Sequence, residues 1–432
     1  MDDALRARAE AVALDALDPD DAAEITSLIA RGEEAELRSR MDPLSCGTAG
    51  LRGIMGGGPG RFGARVVALA AAALADALAD QGAPQVMVMG HDARRRAAAL
   101  ADLAAEVVSG RGWQVLRVPG PCPTPLVAFA VRQLGAGGGV MITASHNPPE
   151  YGGLKAFGPH GGQIIPPLDA EVRLRMDSIG AARSLPRGAR GQLRPDVEEL
   201  YLDRAASCLD FADLRGTEIA YSPLQGVGAS LFARLCARLG VTLHTVAAQA
   251  EPDGSFSATP EPNPERMEAL APTLNLARER GLDLALVHDP DADRLAVAAT
   301  RDGLMTPLSG DQTGTILADL LLPAAGKGAH VATTLVSTRM VDRVAERHSA
   351  DVIRTPTGFK WMAEQARRLE PALMALAFEE AIGFSVMDLV RDKDGLTAGL
   401  AVALAHARQP LWARWQALCA RHGGYATGAF SF

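Results

Sequence analysis

The chain has 432 residues, 48% hydrophobic and 22% charged, with a formal net charge of −8. That composition fits a soluble globular protein of about three domains, and the acidic balance excludes a general nucleic-acid binder, which needs a basic face. Five scattered cysteines (Cys46, Cys122, Cys208, Cys236, Cys419) with no CxxC pair argue against a disulfide framework or a zinc site and point to reduced thiols in the cytoplasm.

Residues 1–40 read as polar helices, with Asp18-Pro19 as a helix start. The acidic opening lacks the basic-then-apolar order of a signal peptide. "CGTAGLRGIMGGGPGRFG", residues 46–63, is a glycine-dense loop whose Gly58-x-Gly60-x-x-Gly63 has the form of a dinucleotide fingerprint. No strand is expected before Gly58, so that reading is set aside. "VVALAAAALADALA" from Val66 is too short for a bilayer and carries Asp76; it reads as a core helix, and no membrane span is expected.

Three later stretches repeat one pattern: "QVMVMGHDARRRAAALADLAAEVVSGRGWQVLRV", "TEIAYSPLQGVGASLFARLCARLGVTLHTV" and "HVATTLVSTRMVDRVAERHSADVIRT". Each offers an apolar strand, a polar loop, a helix and a β-branched strand. Leu100, Leu103 and Val107 recur at helical spacing, as do Leu231, Leu235 and Leu239. Such units imply parallel pairing through crossovers. The expected fold is α/β, three tandem domains of related topology, with domains at 1–203, 204–303 and 304–410.

In open α/β sheets ligands sit beyond the carboxyl ends of strands, and four such places stand out. In "GVMITASHNPPEYGGLKAF", Ser145 ends an apolar run and Lys155 follows ten residues on. Ser, Asn and Pro are ordinary turn residues, yet a serine that takes up a phosphoryl group is a nucleophile. The absence of a G-x-S-x-G elbow speaks against a hydrolase serine. In "LALVHDPDADRLAV", Asp289, Asp291 and Asp293 alternate after His288, as if an extended loop aimed three carboxylates to one side for a hard cation such as Mg²⁺. Arg294 at the sixth loop position and Thr300 at the twelfth exclude an EF-hand; the bland alternative is a solvated acidic turn. In "LMALAFEEAIGFSV", Glu379 and Glu380 interrupt an apolar segment, as acid–base groups, as acceptors for sugar hydroxyls, or as a mere cap. In "RTPTGFKWMAE", Thr357, Gly358 and Lys360 open a helix, which suits an anion or is simply a capped start.

Together, "TASHNP" (143–148), "DPDADR" (289–294) and "FEEAIGF" (378–384), in this order, resemble the α-D-phosphohexomutase superfamily of phosphoglucomutases and phosphomannomutases. "CGTAGLRGIMG" (46–56) is similar to that family's N-terminal active-site segment, and "GFKW" with "EEAIGF" is more similar to the phosphoglucomutase-2 and phosphopentomutase branch. The resemblance covers residues 40 to 410. It implies that Ser145 carries a phosphoryl group, donates it to the sugar and takes back the other phosphate of a bisphosphate intermediate. It further implies Mg²⁺ held by Asp289, Asp291, Asp293 and the Ser145 phosphoryl group, with Lys155 as general acid or base. His146, Asn147, Arg52 and Arg294 would line the phosphoserine, and Glu379 and Glu380 would contact the sugar; Thr357, Gly358 and Lys360 join the expected substrate-binding residues. The implied ligands are a sugar phosphate and its bisphosphate, with no nucleic acid or membrane partner; nothing in the sequence speaks to oligomeric state.

Two departures stand beside the resemblance. The family's fourth domain carries an Arg-x-Ser-Gly-Thr-type phosphate loop; here residues 411–432 read as a remnant of that domain and no such loop follows. Losing that anchor would weaken binding and turnover. Ala381 stands where many hexose-specific relatives have serine, which loosens the hexose assignment. The sequence therefore supports a hexose 1-/6-phosphate mutase first. A phosphopentomutase or bisphosphate synthase comes second, then a non-catalytic sugar-phosphate binder. A serine hydrolase or plain Mg²⁺ phosphatase is more distant.

Overall fold

All three strand–helix–strand units form as expected, each in its own sheet. The computed structural model describes residues 2–47 and 50–428; Thr48 and Ala49 of the glycine-dense stretch, and the last four residues of 411–432, lie outside them. The chain divides into two compact units, Met1–Cys122 with Ala130–Pro195, and Pro123–Phe129 with Asp196–Phe432.

The first unit holds β1 (Cys46–Gly47), β2 (Gly50–Ile54), β3 (Val86–His91), β4 (Gln114–Pro121), β5 (Gly138–Ile142), β6 (Tyr151–Phe157) and β7 (Gln192–Leu193) in the order β1-β2-β6-β5-β3-β4-β7. Strand β3 pairs in parallel with β4 and β5, and β6 closes antiparallel on β5. The Ala-rich helix Ala64–Asp80 is buried along nearly its whole length; its alanines let neighbouring elements approach closely, and it is a core helix as read. The helix Ala97–Gly110 buries Leu100, Leu103 and Val107.

The second unit holds two sheets. Strands β8 (Glu218–Ser222), β9 (Thr242–Thr245), β10 (Leu284–His288), β11 (Leu295–Arg301) and β12 (Leu304–Leu308) lie in the order β12-β11-β10-β8-β9. Strands β13 (His330–Thr334), β14 (Asp351–Thr355), β15 (Met374–Phe378) and β16 (Phe384–Val386) lie in the order β14-β13-β15-β16. The apolar helix Gly395–Arg408 is buried against both sheets of this unit. The helix Leu411–His422 also packs here: the Trp412 indole donates to the Ala299 carbonyl at 3.2 Å, and Arg414 pairs with Asp319 at 2.7 Å.

One topology recurs three times. A first strand is flanked by two parallel partners, and the third strand turns back into an antiparallel fourth: β5 to β6, β10 to β11 and β15 to β16. The three motifs singled out above occupy these three equivalent turns. Each turn contains one non-glycine residue in the left-handed region, Ser145 (φ 52°), Ala292 (φ 56°) and Ile382 (φ 55°), a conformation that costs about 1–2 kcal/mol for an L-residue.

Two expectations need correction here. The N-terminal stretch forms helices Asp3–Leu14, Pro19–Arg31 and Glu34–Met41, with the Asp18 carboxylate capping the second. They are not merely polar: Leu5, Ile25, Leu28, Leu37 and Met41 form their own core cluster. Further on, a strand does precede Gly58, namely β2, and a helix follows at Ala64. A five-residue strand carrying Arg52 and two glycines shows no apolar run, so it was illegible. The dinucleotide reading gains nothing, because β2 is antiparallel to β6 and the glycines serve packing. A Cβ at Gly60 would stand 2.3 Å from the Ser39 carbonyl oxygen, and its N–H donates to Arg40 at 2.7 Å.

Candidate active site

In the first unit, Ser145 sits just past β5, almost wholly buried, at the left-handed bend. Its N–H donates to Thr143 Oγ1 at 2.9 Å, and its Oγ lies 3.1 Å from His146 Nδ1. The Asn147 N–H closes the turn onto Ala144, 3.1 Å away. Arg52, on β2, donates to Asn147 Oδ1 at 2.7 Å, which explains why this short strand matters. Lys155 lies on β6 opposite Met141 of β5, fully buried.

What fixes this turn is a residue the sequence reading passed over. Arg94, beyond the carboxyl end of β3, is 4% exposed and donates to four carbonyls of the turn: Ser145 at 2.6 Å, Asn147 at 2.5 Å, Pro148 at 2.8 Å and Tyr151 at 3.1 Å. Its Nε is 3.3 Å from the Asp92 carboxylate. The planar guanidinium suits this task because its donors fan out in fixed directions. "HDARRR" follows a strand, and the rule applied to the other four stretches would have found it.

In the second unit, Asp289, Asp291 and Asp293 are buried, with one carboxylate oxygen from each within 4.8 Å of the others. The segment is a turn rather than the extended loop expected. Pro290 favours it, and the Ala292 N–H donates to the Asp289 carbonyl at 2.9 Å. Burial, then the Asp291 and Asp293 charges, raise Asp289 well above the ordinary carboxylate range. Three hard oxygen donors at this spacing, with a charge excess that a divalent cation would relieve, fit Mg²⁺ in donor chemistry. Thr124 Oγ1 donates to Asp291 Oδ2.

Lys393, also missed, approaches the same turn: its Nζ is 3.2 Å from Asp293 Oδ2 and 3.7 Å from Asp392 Oδ1. Burial pulls its pKa down, but Asp293, Asp392 and Glu379 outweigh that and hold it above an ordinary lysine. "VRDKDG" reads as a solvated charge run, and only the fold shows residues 391–394 buried. Arg294 N–H donates to Asp289 Oδ1 at 2.9 Å, and its guanidinium meets Glu265 at 2.5 Å. Burial lowers its pKa, an effect that Asp293, Asp289 and Glu265 more than reverse. An isolated antiparallel bridge joins Arg294 to Gly383, so the acidic turn and the "EEAIGF" turn run edge to edge.

In that second turn the two glutamates part ways. Glu379 is buried and accepts from the Gly358 N–H at 3.1 Å; burial raises its pKa against the opposing pull of Lys393 and Arg294. Glu380 Oε2 accepts from Thr334 Oγ1 at 2.7 Å and Ser337 Oγ at 3.0 Å. Gly358 caps the helix Phe359–Leu369, so the expected helix start is present. Thr357 is exposed and Lys360 half-buried.

Three such sheets, with a serine turn and an acidic turn at strand ends, make up the fold and the candidate site. Residues 43–183, 199–303 and 309–421 match, in turn, alpha/beta/alpha domains I, II and III of phosphoglucomutase/phosphomannomutase. A "probable phosphomannomutase" of Haemophilus influenzae is 34% identical over 345 residues, covering 78% of this chain and 70% of that protein. A "probable phosphoribomutase" of Schizosaccharomyces pombe is 33% identical over 401 residues, covering 87% and 68%. A solved Thermus thermophilus structure assigned as a phosphomannomutase superposes with a TM-score of 0.78 at 28% identity, covering 89% and 85%. The chain belongs to the phosphoglucomutase/phosphomannomutase family, and it is an intramolecular phosphotransferase of the isomerase type.

Proposed function

We propose that the protein interconverts a sugar 1-phosphate and the corresponding 6-phosphate, glucose or mannose, with Ser145 as phosphoryl carrier and Mg²⁺ as cofactor. The observation that carries this reading is the Ser145 turn: a buried hydroxyl on a strained bend, locked by four carbonyl contacts from one guanidinium. A nucleophile that must both give and accept a phosphoryl group gains from fixed placement, since such transfers depend on positioning and charge neutralisation. The Ser145 O–P bond breaks as the sugar hydroxyl oxygen bonds to phosphorus. The hydroxyl proton passes to a nearby base, for which Lys155 and His146 are the candidates. The bisphosphate then returns its other phosphate to Ser145, so no phosphate is lost. Asp289, Asp291 and Asp293 hold Mg²⁺, which when bound neutralises charge on the transferred oxygens. Arg52, Asn147 and Arg294 surround the phosphoryl group, Glu379 and Glu380 address the sugar, and Thr357, Gly358 and Lys360 form the neighbouring anion-facing helix start.

A second substrate reading, a pentose 1-/5-phosphate, is favoured by Ala381 in the sugar turn and by the likeness to a relative named for ribose phosphate. ³¹P NMR of the protein with Mg²⁺, a trace of sugar bisphosphate and glucose 1-phosphate, mannose 1-phosphate or ribose 1-phosphate separates the two. Faster isomerisation of either hexose supports the first reading; turnover of the pentose alone replaces it. Release of inorganic phosphate without isomer would refute the mutase reading.

A further inference from the structure

His288, the last residue of β10, is fully buried, and both ring nitrogens are used. Nδ1 lies 3.0 Å from the Tyr221 hydroxyl on β8, and Nε2 lies 2.9 Å from the Gly395 carbonyl oxygen. A carbonyl only accepts, so Nε2 carries the proton and Tyr221 donates to Nδ1. Gly395 in turn donates its N–H to the Ala292 carbonyl at 3.1 Å. Residue 395 is thus held twice, once at each end of the acidic turn. The fit is close: a Cβ at Gly395 would stand 2.9 Å from the His288 ring and 2.7 Å from the Arg294 carbonyl oxygen. Two residues before Gly395 is Lys393, whose ammonium faces Asp293.

We propose that His288 is a positioning residue for the cation site, tying the 289–293 turn to the segment that delivers Lys393. This rests on the reading of the three aspartates as a divalent-cation site. Three gathered carboxylates repel one another, and the pinned turn and the nearby ammonium are among the features that keep them together without a cation, beside the Thr124 hydroxyl on Asp291 and the Arg294 N–H on Asp289. The Tyr221 hydroxyl donates to Nδ1 and Nε2–H donates to the Gly395 carbonyl, so the ring ties β8 and the start of the acidic turn to the 393–395 segment. Losing the imidazole frees the turn and the Lys393 segment together, so the carboxylates spread and chelate less well.

The test measures Mn²⁺ binding directly, by EPR of free Mn²⁺ and by calorimetry, on the full-length protein. Wild type, His288→Leu, His288→Gln, Tyr221→Phe and Asp291→Asn are compared, with melting temperatures recorded alongside. Leucine keeps the bulk and removes the donor, whereas glutamine can place an amide N–H where Nε2 stood. The expected result is Mn²⁺ affinity about tenfold weaker in His288→Leu, within about threefold of wild type in His288→Gln, and intermediate in Tyr221→Phe. Unchanged or tighter binding in His288→Leu overturns the proposal, as do equal losses in the leucine and glutamine variants. Should His288→Leu fail to fold, unaltered Mn²⁺ affinity in Tyr221→Phe overturns it. If wild type itself shows no binding that Asp291→Asn abolishes, the cation-site reading fails and this inference with it.

Discussion

Arg94→Ala removes the one side chain that holds four carbonyls of the Ser145 turn, and it deletes the positive charge 3.3 Å from Asp92, which is 2% exposed. Breaking one side of a buried charge pair costs about 3–5 kcal/mol. The turn also loses the restraint on a left-handed serine, whose conformation stores about 1–3 kcal/mol. Taking about 3–5 kcal/mol as the net effect, and about 2–4 °C per kcal/mol for a domain of this size, the melting temperature of the first unit should fall by roughly 6–20 °C. Arg94→Lys keeps the charge opposite Asp92 but cannot span four acceptors, so it should recover part of the stability and little of the activity. Calorimetry reads the first effect; intact mass after incubation with a sugar bisphosphate reads Ser145 phosphorylation. Arg94→Ala melting within about 2 °C of wild type, and phosphorylated at the wild-type rate, would refute the account of this turn.

Stability should depend on pH and Mg²⁺ together. Asp289 is raised above its unfolded value, so the folded state holds the extra proton, and stability falls as pH rises from the unfolded value of 3.8 toward the folded one. Melting in EDTA should decline across that window. Mg²⁺ should raise the melting temperature more at the high-pH end, since the cation and the proton compete; a Mg²⁺ effect that grows as pH falls would contradict this. The cysteines give a simpler check. Burial pushes the Cys208 and Cys236 thiols up to about 12, so neither should react with iodoacetamide in the native protein at pH 8 before it unfolds, and mass mapping of alkylated peptides would show otherwise.

Much of the architecture was legible because strand–helix–strand units announce themselves by period: Leu100, Leu103 and Val107, or Leu231 and Leu235, mark buried helix faces that the structure bears out. The acidic turn was legible because three aspartates between apolar runs have few uses. What escaped were residues whose role depends on distant partners. Arg94 looks like one arginine among three, and its function lies in carbonyls more than 50 residues away. Lys393 sits in a charge run that only tertiary folding buries. The strand β2 has no apolar run, because a five-residue strand with two glycines and an arginine need not show one. The turn at 289–292 was misread as extended, since alternation of residue type says nothing of backbone direction once Pro290 sets a turn.

The most direct test of the central claim, that Ser145 carries the phosphoryl group, is to treat the protein with ³²P-labelled sugar bisphosphate, map the label by peptide mass analysis, and chase with unlabelled sugar 1-phosphate. The label should appear on Ser145 alone, be absent from Ser145→Ala, and leave the protein for the sugar when the chase is added. A label on another residue, no label, or a label on Ser145 that the sugar does not remove would contradict the mechanism.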